Sequence, residues 1–453
     1  MMQLHDLSRW SNGTRVGEDL VVNRVVIDSR QVAQGDAFLA LKGDRLDGHD
    51  FLAAAKRAGA VAAIVEQQTD LFDRQVVVGN SRQALGRIAS GWCRQFAMQR
   101  IAVTGNAGKT SVKEMIAVLL GDHTLFTQGN FNNDIGVPLT LLRATDEHRF
   151  GVFELGANHP GEIAWTASLV KPDVALITNV TGAHLEGFGS MQGIARAKAE
   201  IFGGVKPGGT VVINLDDSFA EFFSAQATAK GLKLVTVSRM ANADHVATNI
   251  QAMPDGTQFK LTRKGKPYHV RLSLVGEHQV SNALQAIAAV EALGVDVFKH
   301  LDRLARMTPV AGRMVQHAWA NGVLVDDTYN ANPGSVKAAG EWLATQPGER
   351  MLVLGNVGEL GPASAELHRQ MGKTLAALGI NRLVAVGDLA ALAAQAFGAN
   401  GTVVADQAAA APLVKAVLQS GGCVLVKGSR SAAMEQVVQA VLGIDQFTEQ
   451  GAH

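Results

Sequence analysis

The chain has 453 residues, enough for two to four domains. Hydrophobic residues make up 47% and charged residues 18%, a globular balance, and Lys plus Arg equals Asp plus Glu at 41 each. Such neutrality excludes a broad basic field for nucleic acid or anionic lipid, so any phosphate binding must be local. The two cysteines, Cys93 and Cys423, lie far apart without metal-ligand spacing, which predicts buried thiols in a reducing compartment. The start of the chain carries Asp6 and no apolar signal-peptide run, and no stretch reads as a bilayer span. A soluble, cytoplasmic, monomeric protein is expected, with no nucleic-acid or membrane partner.

Residues 1–80 read as a first unit. Val25-Val26-Ile27 and Ala37–Leu41 are predicted strands, Asp50–Ala58 a helix and Val61–Val65 another strand. Polar loops at Asp28-Ser29-Arg30 and Lys42-Gly43-Asp44 separate them. Residues 81–310 form a larger α/β unit. The strand Ile101-Ala102-Val103 enters a Gly-rich loop and then a helix with Val112, Met115, Ile116, Leu119 and Leu120 at helical spacing. Apolar runs at Gly151–Leu155, Val174–Thr178 and Thr210–Asn214, with helical material between, predict a parallel sheet covered on both faces. Over 245–275, Phe259 and Leu261, then Tyr268, Val270, Leu272 and Leu274, alternate with polar residues, and Pro254-Asp255-Gly256 supplies a turn; this predicts an antiparallel appendage. Residues 311–453 repeat the α/β rhythm, with strands at Val323–Asp326, Met351–Leu354, Leu383–Val386 and Val424–Val426. They predict a Rossmann-like domain ending in a frayed Thr448–His453. The fold class is therefore α/β in three domains, with a central P-loop mononucleotide-binding sheet.

The chemistry begins at Thr104-Gly105-Asn106-Ala107-Gly108-Lys109-Thr110-Ser111, which follows a strand and opens a helix, the context of a phosphate loop. Glycines let backbone N–H groups turn toward phosphate oxygens, and the helix N-terminus adds partial positive charge. Lys109 would bridge the terminal phosphates of ATP, and the Thr110 hydroxyl would ligand Mg²⁺. Val103 stands where the general pattern has its first glycine. Glu154 ends a buried strand at the same sheet edge; it reads as a Mg²⁺ carboxylate or as a capping or salt-bridged glutamate.

An ordered series of blocks resembles the Mur ligase family, which shares the shorter Thr-Gly-x-x-Gly-Lys-Thr loop. The series runs through Ile27-Asp28-Ser29-Arg30, Phe38–Gly43, Asp47–Phe51, Thr127–Asn133, Glu154–Ile163 and Asn179-Val180 with His184. It continues through Ala197-Lys198-Ala199-Glu200, Gly276-Glu277-His278 with Asn282, Gly312-Arg313-Met314, Asp326–Pro333 and Lys427-Gly428-Ser429-Arg430. The Glu154–Ile163 and Tyr329–Pro333 blocks resemble the branch that adds D-alanyl-D-alanine, and the Asp-Asn-Pro-Arg block of the third-residue-adding branch is missing. Asn356 stands where the family usually has Asp.

The resemblance implies ATP-dependent ligation of D-alanyl-D-alanine to UDP-N-acetylmuramoyl-tripeptide through an acyl phosphate. It implies that His184 and Lys198 join Thr110 and Glu154 at metal ions, Lys198 after carbamylation; read alone, they are a structural histidine and a solvated lysine. Asn282, with His278 nearby, would read adenine or cap a helix. Asp326 and Asn330 are implied at the nucleotide and Arg313 at the transferred phosphate. Ser29, Arg30, Lys42, Gly43 and His49 would hold the uridine diphosphate part. Asn132, Asn133, Asn332, Lys427 and Arg430 would face substrate, although Asn330 and Asn332 also suit plain Asx turns. Two rivals remain: a sister ligase with another acceptor, and a P-loop ATPase that ligates nothing.

Overall fold

Three large β-sheets follow one another along the chain, each over its own apolar core, and a two-stranded antiparallel pair, Met2–Gln3 with Val21–Val22, accompanies the first. The computed structural model describes residues 1–43, 46–181, 185–253 and 256–444. His184, the turn residues Pro254 and Asp255, Asp44 and the tail Thr448–His453 lie outside the described residues.

The first sheet has five strands in the order Thr14–Val16, Gln75–Val77, Ala62–Val65, Ala37–Leu39, Val25–Val26, parallel except for the first pair. The predicted strands are present, slightly shortened. The helix of this region runs over Leu52–Ala58 and is preceded by a 3₁₀ turn at Gly48–Phe51. The helix Ser81–Cys93, capped by the Asn80 side chain on Gln83 N, packs against the first helix, Leu4–Ser11, on one side. On the other it meets Gly136–Leu142 and Glu162–Val170 of the central unit. Its Ser90 hydroxyl donates to Leu169 O (2.8 Å) and its Trp92 indole to Ala144 O (3.1 Å).

The central sheet has nine strands. Its parallel part runs Thr124–Phe126, Phe150–Glu154, Gln99–Thr104, Val174–Ile177, Thr210–Asn214, Lys233–Ser238 and His245–Met253. Gly256–Arg263 and Lys266–Leu272 then add on antiparallel, the appendage predicted from the alternation. Inward Phe259, Leu261, Val270 and Leu272 join the core beneath the helix Glu277–Ala292. Gln99–Thr104 lies between a strand that comes later on one side and a strand that comes later on the other, a switch point that opens a crevice at the carboxyl edge.

The last sheet orders its strands Val315–Trp319, Gly322–Asp327, Cys423–Lys427, Arg350–Gly355, Arg382–Val386, Gly401–Val404, parallel after the first pair. Cys93 and Cys423 are both buried free thiols, pushed above the ordinary thiol range by burial, Cys423 to about 12. No helix among the described residues is long and apolar enough to cross a membrane.

A side chain at Gly91 would collide with the indole of Trp10, since a Cβ there lies 2.3 Å from Trp10 Cγ. Gly91→Val is expected to lower stability by about 1–3 kcal/mol through overpacking, read as a lower urea midpoint. An unchanged midpoint would show that the indole can move aside.

Candidate active site

The phosphate loop owes its path to two glycines. Gly105 (φ +143°) and Gly108 (φ +80°) both lie in the region that favours glycine. A Cβ at Gly105 would sit 2.0 Å from Thr178 Oγ1, and one at Gly108 would sit 2.6 Å from Asn282 Oδ1. Residues after the strand Val174–Ile177 brace the loop. Ala107 N donates to Asn179 Oδ1 (3.0 Å), while Ala107 O accepts from the Thr178 hydroxyl (2.6 Å) and the Asn179 amide (3.1 Å). Asn106 N reaches Asn179 O, and Thr181 N reaches Asn106 Oδ1. The Lys109 ammonium curls back to Gly105 O (2.9 Å) and Asn106 O (3.3 Å). Burial draws the Lys109 amine below its ordinary value; Glu154 opposes this, Arg313 adds to it and Glu359 opposes it. Ser111, buried, lines a small cleft with Glu114, Gln279 and Arg313.

Glu154 is 2% exposed, and both of its carboxylate oxygens are engaged. Oε2 accepts from the Thr110 hydroxyl (3.0 Å) and Oε1 from the Asn132 amide (2.9 Å). Among the described residues Glu154 caps no helix and makes no salt bridge, although it acts electrostatically on Lys109. Its backbone N donates to Thr127 Oγ1 (3.0 Å). Asn133 does different work: its Oδ1 accepts from Gly136 N (2.8 Å) and Ile135 N (3.2 Å) at the start of the next helix. Among the described residues no three His, Cys, Asp or Glu side chains cluster as a metal cage. One buried carboxylate beside one hydroxyl is a hard-oxygen pair of the kind Mg²⁺ accepts when phosphates and water complete its shell.

Lys198 lies in the helix Met191–Ala199, two residues before a 3₁₀ turn at Glu200–Gly203. It is 1% exposed rather than solvated, with its nitrogen 5.6 Å from the centre of the Phe188 ring. Burial lowers its amine to about 7, helped by Lys109 and opposed by Glu162 and Glu200. Glu200 in turn accepts from Gly161 N (2.8 Å) and Ala164 N (3.1 Å), tying this helix to Glu162–Val170.

The last sheet reaches the loop from the other side. Arg313 Nη2 donates to Thr110 Oγ1 (2.9 Å), and its guanidinium stacks on Tyr329 at 4.3 Å. Buried Arg313 Nε and the buried Thr181 hydroxyl have no partner among the described residues. Lys427, 2% exposed, bonds Asp327 (2.7 Å) and Asn330 O (3.0 Å). Asp326 accepts from the Thr328 hydroxyl (2.6 Å), and burial raises its carboxyl. The Asn330 side chain accepts from Ala331 N, and Asn332 closes a capping box with Ser335 on the helix Pro333–Ala344. That helix start lies against Thr181, since a Cβ on Gly334 would meet Thr181 Cγ2 at 3.0 Å. Asn282 lies in the second turn of its helix and bonds Gln279 (3.0 Å), so the capping alternative does not hold. His278 is held down at about 4, by burial first, with Asp327 opposing and Lys427 and Arg239 assisting.

The predicted residues of the first unit do not join this cluster. Arg30 is exposed and forks onto Asp28 beside Ser29. Lys42 and Gly43 are exposed, with Lys42 N on the Ser81 hydroxyl (3.0 Å). His49 has both ring nitrogens occupied: Nδ1 meets Asp47 (2.6 Å) and Nε2 accepts from Glu66 N (3.0 Å). Arg430 is exposed and 3.6 Å from Glu435. Asn356 braces its loop, accepting from Ala390 N at Oδ1 (2.9 Å) and from Ser429 at its carbonyl. An aspartate would accept equally well. The sequence reading gave no role to Thr178, Asn179 and Thr181. Their signal was a polar run directly after a buried strand at the phosphate-loop edge.

Three family models cover most of the chain: the Mur ligase family catalytic domain over 21–92, the Mur ligase middle domain over 103–290 and the Mur ligase glutamate ligase domain over 312–430. Among relatives, the UDP-N-acetylmuramoyl-tripeptide–D-alanyl-D-alanine ligase of Escherichia coli K12 is 43% identical over 445 residues, covering 97% of this chain and 98% of that one. The Haemophilus influenzae enzyme of the same name is 37% identical, with 94% of each chain covered. Among solved structures, MurF from Acinetobacter baumannii superposes with a TM-score of 0.91 at 37% identity, covering 97% of this chain and 98% of that one. The MurF ligase of Thermotoga maritima in complex with ADP gives 0.84 at 28% identity, covering 94% and 99%.

The lowered amine of Lys198 has a consequence for stability. Between about 7 and the ordinary lysine value the unfolded chain holds a proton that the folded chain does not. Stability from this group therefore rises with pH through that window, and below it the buried charge is a full penalty. In carbon dioxide-free buffer at pH 6, Lys198→Met is expected to unfold at a higher temperature than the parent, with the gap narrowing toward pH 10. A lower unfolding temperature at pH 6 would refute this.

Proposed function

The chain belongs to the Mur ligase family, and on that premise we infer that it joins D-alanyl-D-alanine to UDP-N-acetylmuramoyl-tripeptide at the expense of ATP. The product is the pentapeptide precursor of peptidoglycan. The observation that carries the chemistry is the meeting of Lys109, Thr110, Glu154 and Arg313, drawn from two sheets, with Thr110 within 3.0 Å of both Glu154 and Arg313. A carboxylate, a triphosphate and a developing oxyanion must converge in such a reaction, and these groups gather the cations and metal ligands to neutralise them.

Residues 1–80 serve as the unit for the uridine nucleotide, 81–310 as the ATP-binding unit and 311–453 as the ligase unit. Gly105 to Ser111 wrap the phosphates. Lys109 leaves its loop carbonyls for the terminal phosphate, and Arg313, whose Nε has no partner among the described residues, brings a second cation to the group being transferred. Thr110 and Glu154 would hold Mg²⁺, with His184 and Lys198 serving a second ion. Bound there, the metal would neutralise phosphate charge during transfer. The Lys198 amine, at about 7, is neutral in a large fraction of molecules at neutral pH, the form that adds carbon dioxide with loss of a proton to give a carbamate. Asn282 and neutral His278 flank the nucleotide, with Asp326 and Asn330 across from them. Asn132, Asn133, Asn332, Lys427 and Arg430 face the substrates. Ser29, Arg30, Lys42 and Gly43 hold the uridine diphosphate, with His49 bracing their loop.

In the reaction the tripeptide carboxylate takes the γ-phosphoryl group. The dipeptide amine then attacks the acyl carbon, the C–N bond forms and phosphate leaves. Contact between the last sheet and the phosphate loop excludes water from the acyl phosphate.

Phosphate release from ATP, with each acceptor alone and both together, tests the reading. Release is expected only with UDP-N-acetylmuramoyl-tripeptide and D-alanyl-D-alanine both present, and a loss of at least about a hundredfold is expected in Lys109→Ala. Release with neither acceptor would identify an ATPase, and release with a different pair would identify a sister ligase.

A further inference from the structure

Lys113 is 0% exposed, four residues after Lys109 on the phosphate-loop helix and therefore on the same face. A buried ammonium needs partners, and this one has three. Its nitrogen donates to Thr127 O (2.7 Å), lies 2.9 Å from Glu114 Oε1 and lies 5.7 Å from the centre of the Phe126 ring. Thr127 is itself 0% exposed and is held on its other sides: its N donates to Val152 O (3.0 Å), and its hydroxyl accepts from Glu154 N (3.0 Å). Thr127 thus stands between a lysine of the phosphate-loop helix and the strand end that carries the buried carboxylate. The same segment continues to Asn132, which binds Glu154 Oε1.

We propose that Lys113 is a positioning residue for the metal site: through Thr127 it fixes the Glu154 carboxylate against Thr110. The helix then delivers three linked contacts from one face. Lys109 serves the loop, Thr110 meets the carboxylate directly, and Lys113 sets the height of the segment from which Glu154 is held. Loss of the ammonium frees Thr127 O, leaves Glu114 without its buried partner and lets the Glu154 main chain shift relative to Thr110. Phosphate contacts made by the loop itself stay in place. The expected signature is weakened metal binding with little change in metal-free nucleotide binding. Supports of this kind, one step removed from the ion, alter metal affinity by about 10–100-fold when removed. The inference rests on the assignment of Thr110 and Glu154 to Mg²⁺ made above.

The test uses the full chain and Mn²⁺ as the spectroscopic probe. Mn²⁺ is titrated in the presence of ADP and followed by electron paramagnetic resonance, and ADP affinity without metal is measured by calorimetry. Lys113→Met is expected to weaken Mn²⁺ binding by about tenfold or more while ADP alone binds within about twofold of the parent. Thr127→Val, which keeps the carbonyl and removes the hydroxyl, is expected to weaken Mn²⁺ binding in the same direction. The double variant is expected to add little, as for two residues acting in one chain of contacts. Parent-like Mn²⁺ affinity in folded Lys113→Met overturns the proposal. Should that variant fail to fold, parent-like Mn²⁺ affinity in Thr127→Val overturns it instead. Additive losses place Lys113 outside this chain of contacts and also overturn it. The parent protein run alongside separates this result from the ligase reading: Mn²⁺ bound with ADP but no dependence on the two acceptors would sink that reading alone.

Discussion

Glu154 ends a strand whose last four residues are buried, and a carboxylate there must be hydrogen-bonded or carry a heavy desolvation penalty. The partners it takes define the centre of the molecule. Thr110 brings the first turn of the phosphate-loop helix, and Asn132 brings the segment that follows the edge strand Thr124–Phe126. The Thr110 hydroxyl also accepts from Arg313, which lies just before the first strand of the last sheet. One buried charge thereby sets the relative height of two strands, one helix and one neighbouring unit. The sheet register follows suit, with Glu154 paired to Val103 and Ile177 paired to Thr104, so both flanking strands stop level with the loop.

Electrostatics around this point run in one direction. Lys109, Lys198 and Arg313 crowd the site, and the two lysine amines are both lowered, Lys198 to about 7. His278 is held down at about 4, by burial first, with Lys427 and Arg239 assisting and Asp327 opposing. A concentration of cations in a partly buried crevice, with a guanidinium nitrogen and a hydroxyl that have no partner among the described residues, is unstable by itself and is relieved when polyanions enter. The binding of charged substrates is thus prepared by local crowding in a chain whose total charge is zero.

Much of this was legible in the amino-acid order because the information was local. The phosphate loop, the strand before it and the helix after it are contiguous, and so were read together. The appendage showed itself through alternation at Phe259, Leu261, Val270 and Leu272. Lys198 was different: its helix was readable, but its burial depends on Phe188 and on elements far along the chain, and only the family resemblance flagged it. Asn282 looked like a cap because a helix start cannot be located to within a turn from propensity alone; the helix begins at Glu277. His49 entered only through the family resemblance, and its bond from the Glu66 N–H, 17 residues further on, could not be read from the local order. Thr178 was read only as a strand end and Asn179 only as part of a family block, and Lys113 was not read at all, since their partners sit on the loop and strand ends across the sheet.

The helix Ser81–Cys93 follows directly on the first unit and packs on its helix Leu4–Ser11, yet it also rests on surfaces formed by residues 136–170. During synthesis the five strands of the first sheet, all within residues 14–77, leave the ribosome long before those surfaces exist. The sheet can pair early, but the seam through Ser90 and Trp92 cannot shut until Leu169 and Ala144 have emerged. For roughly 75 residues of elongation, a few seconds at cellular speeds, this helix travels with its second face uncovered. Over that interval the uncovered face is open to chaperones and to neighbouring chains.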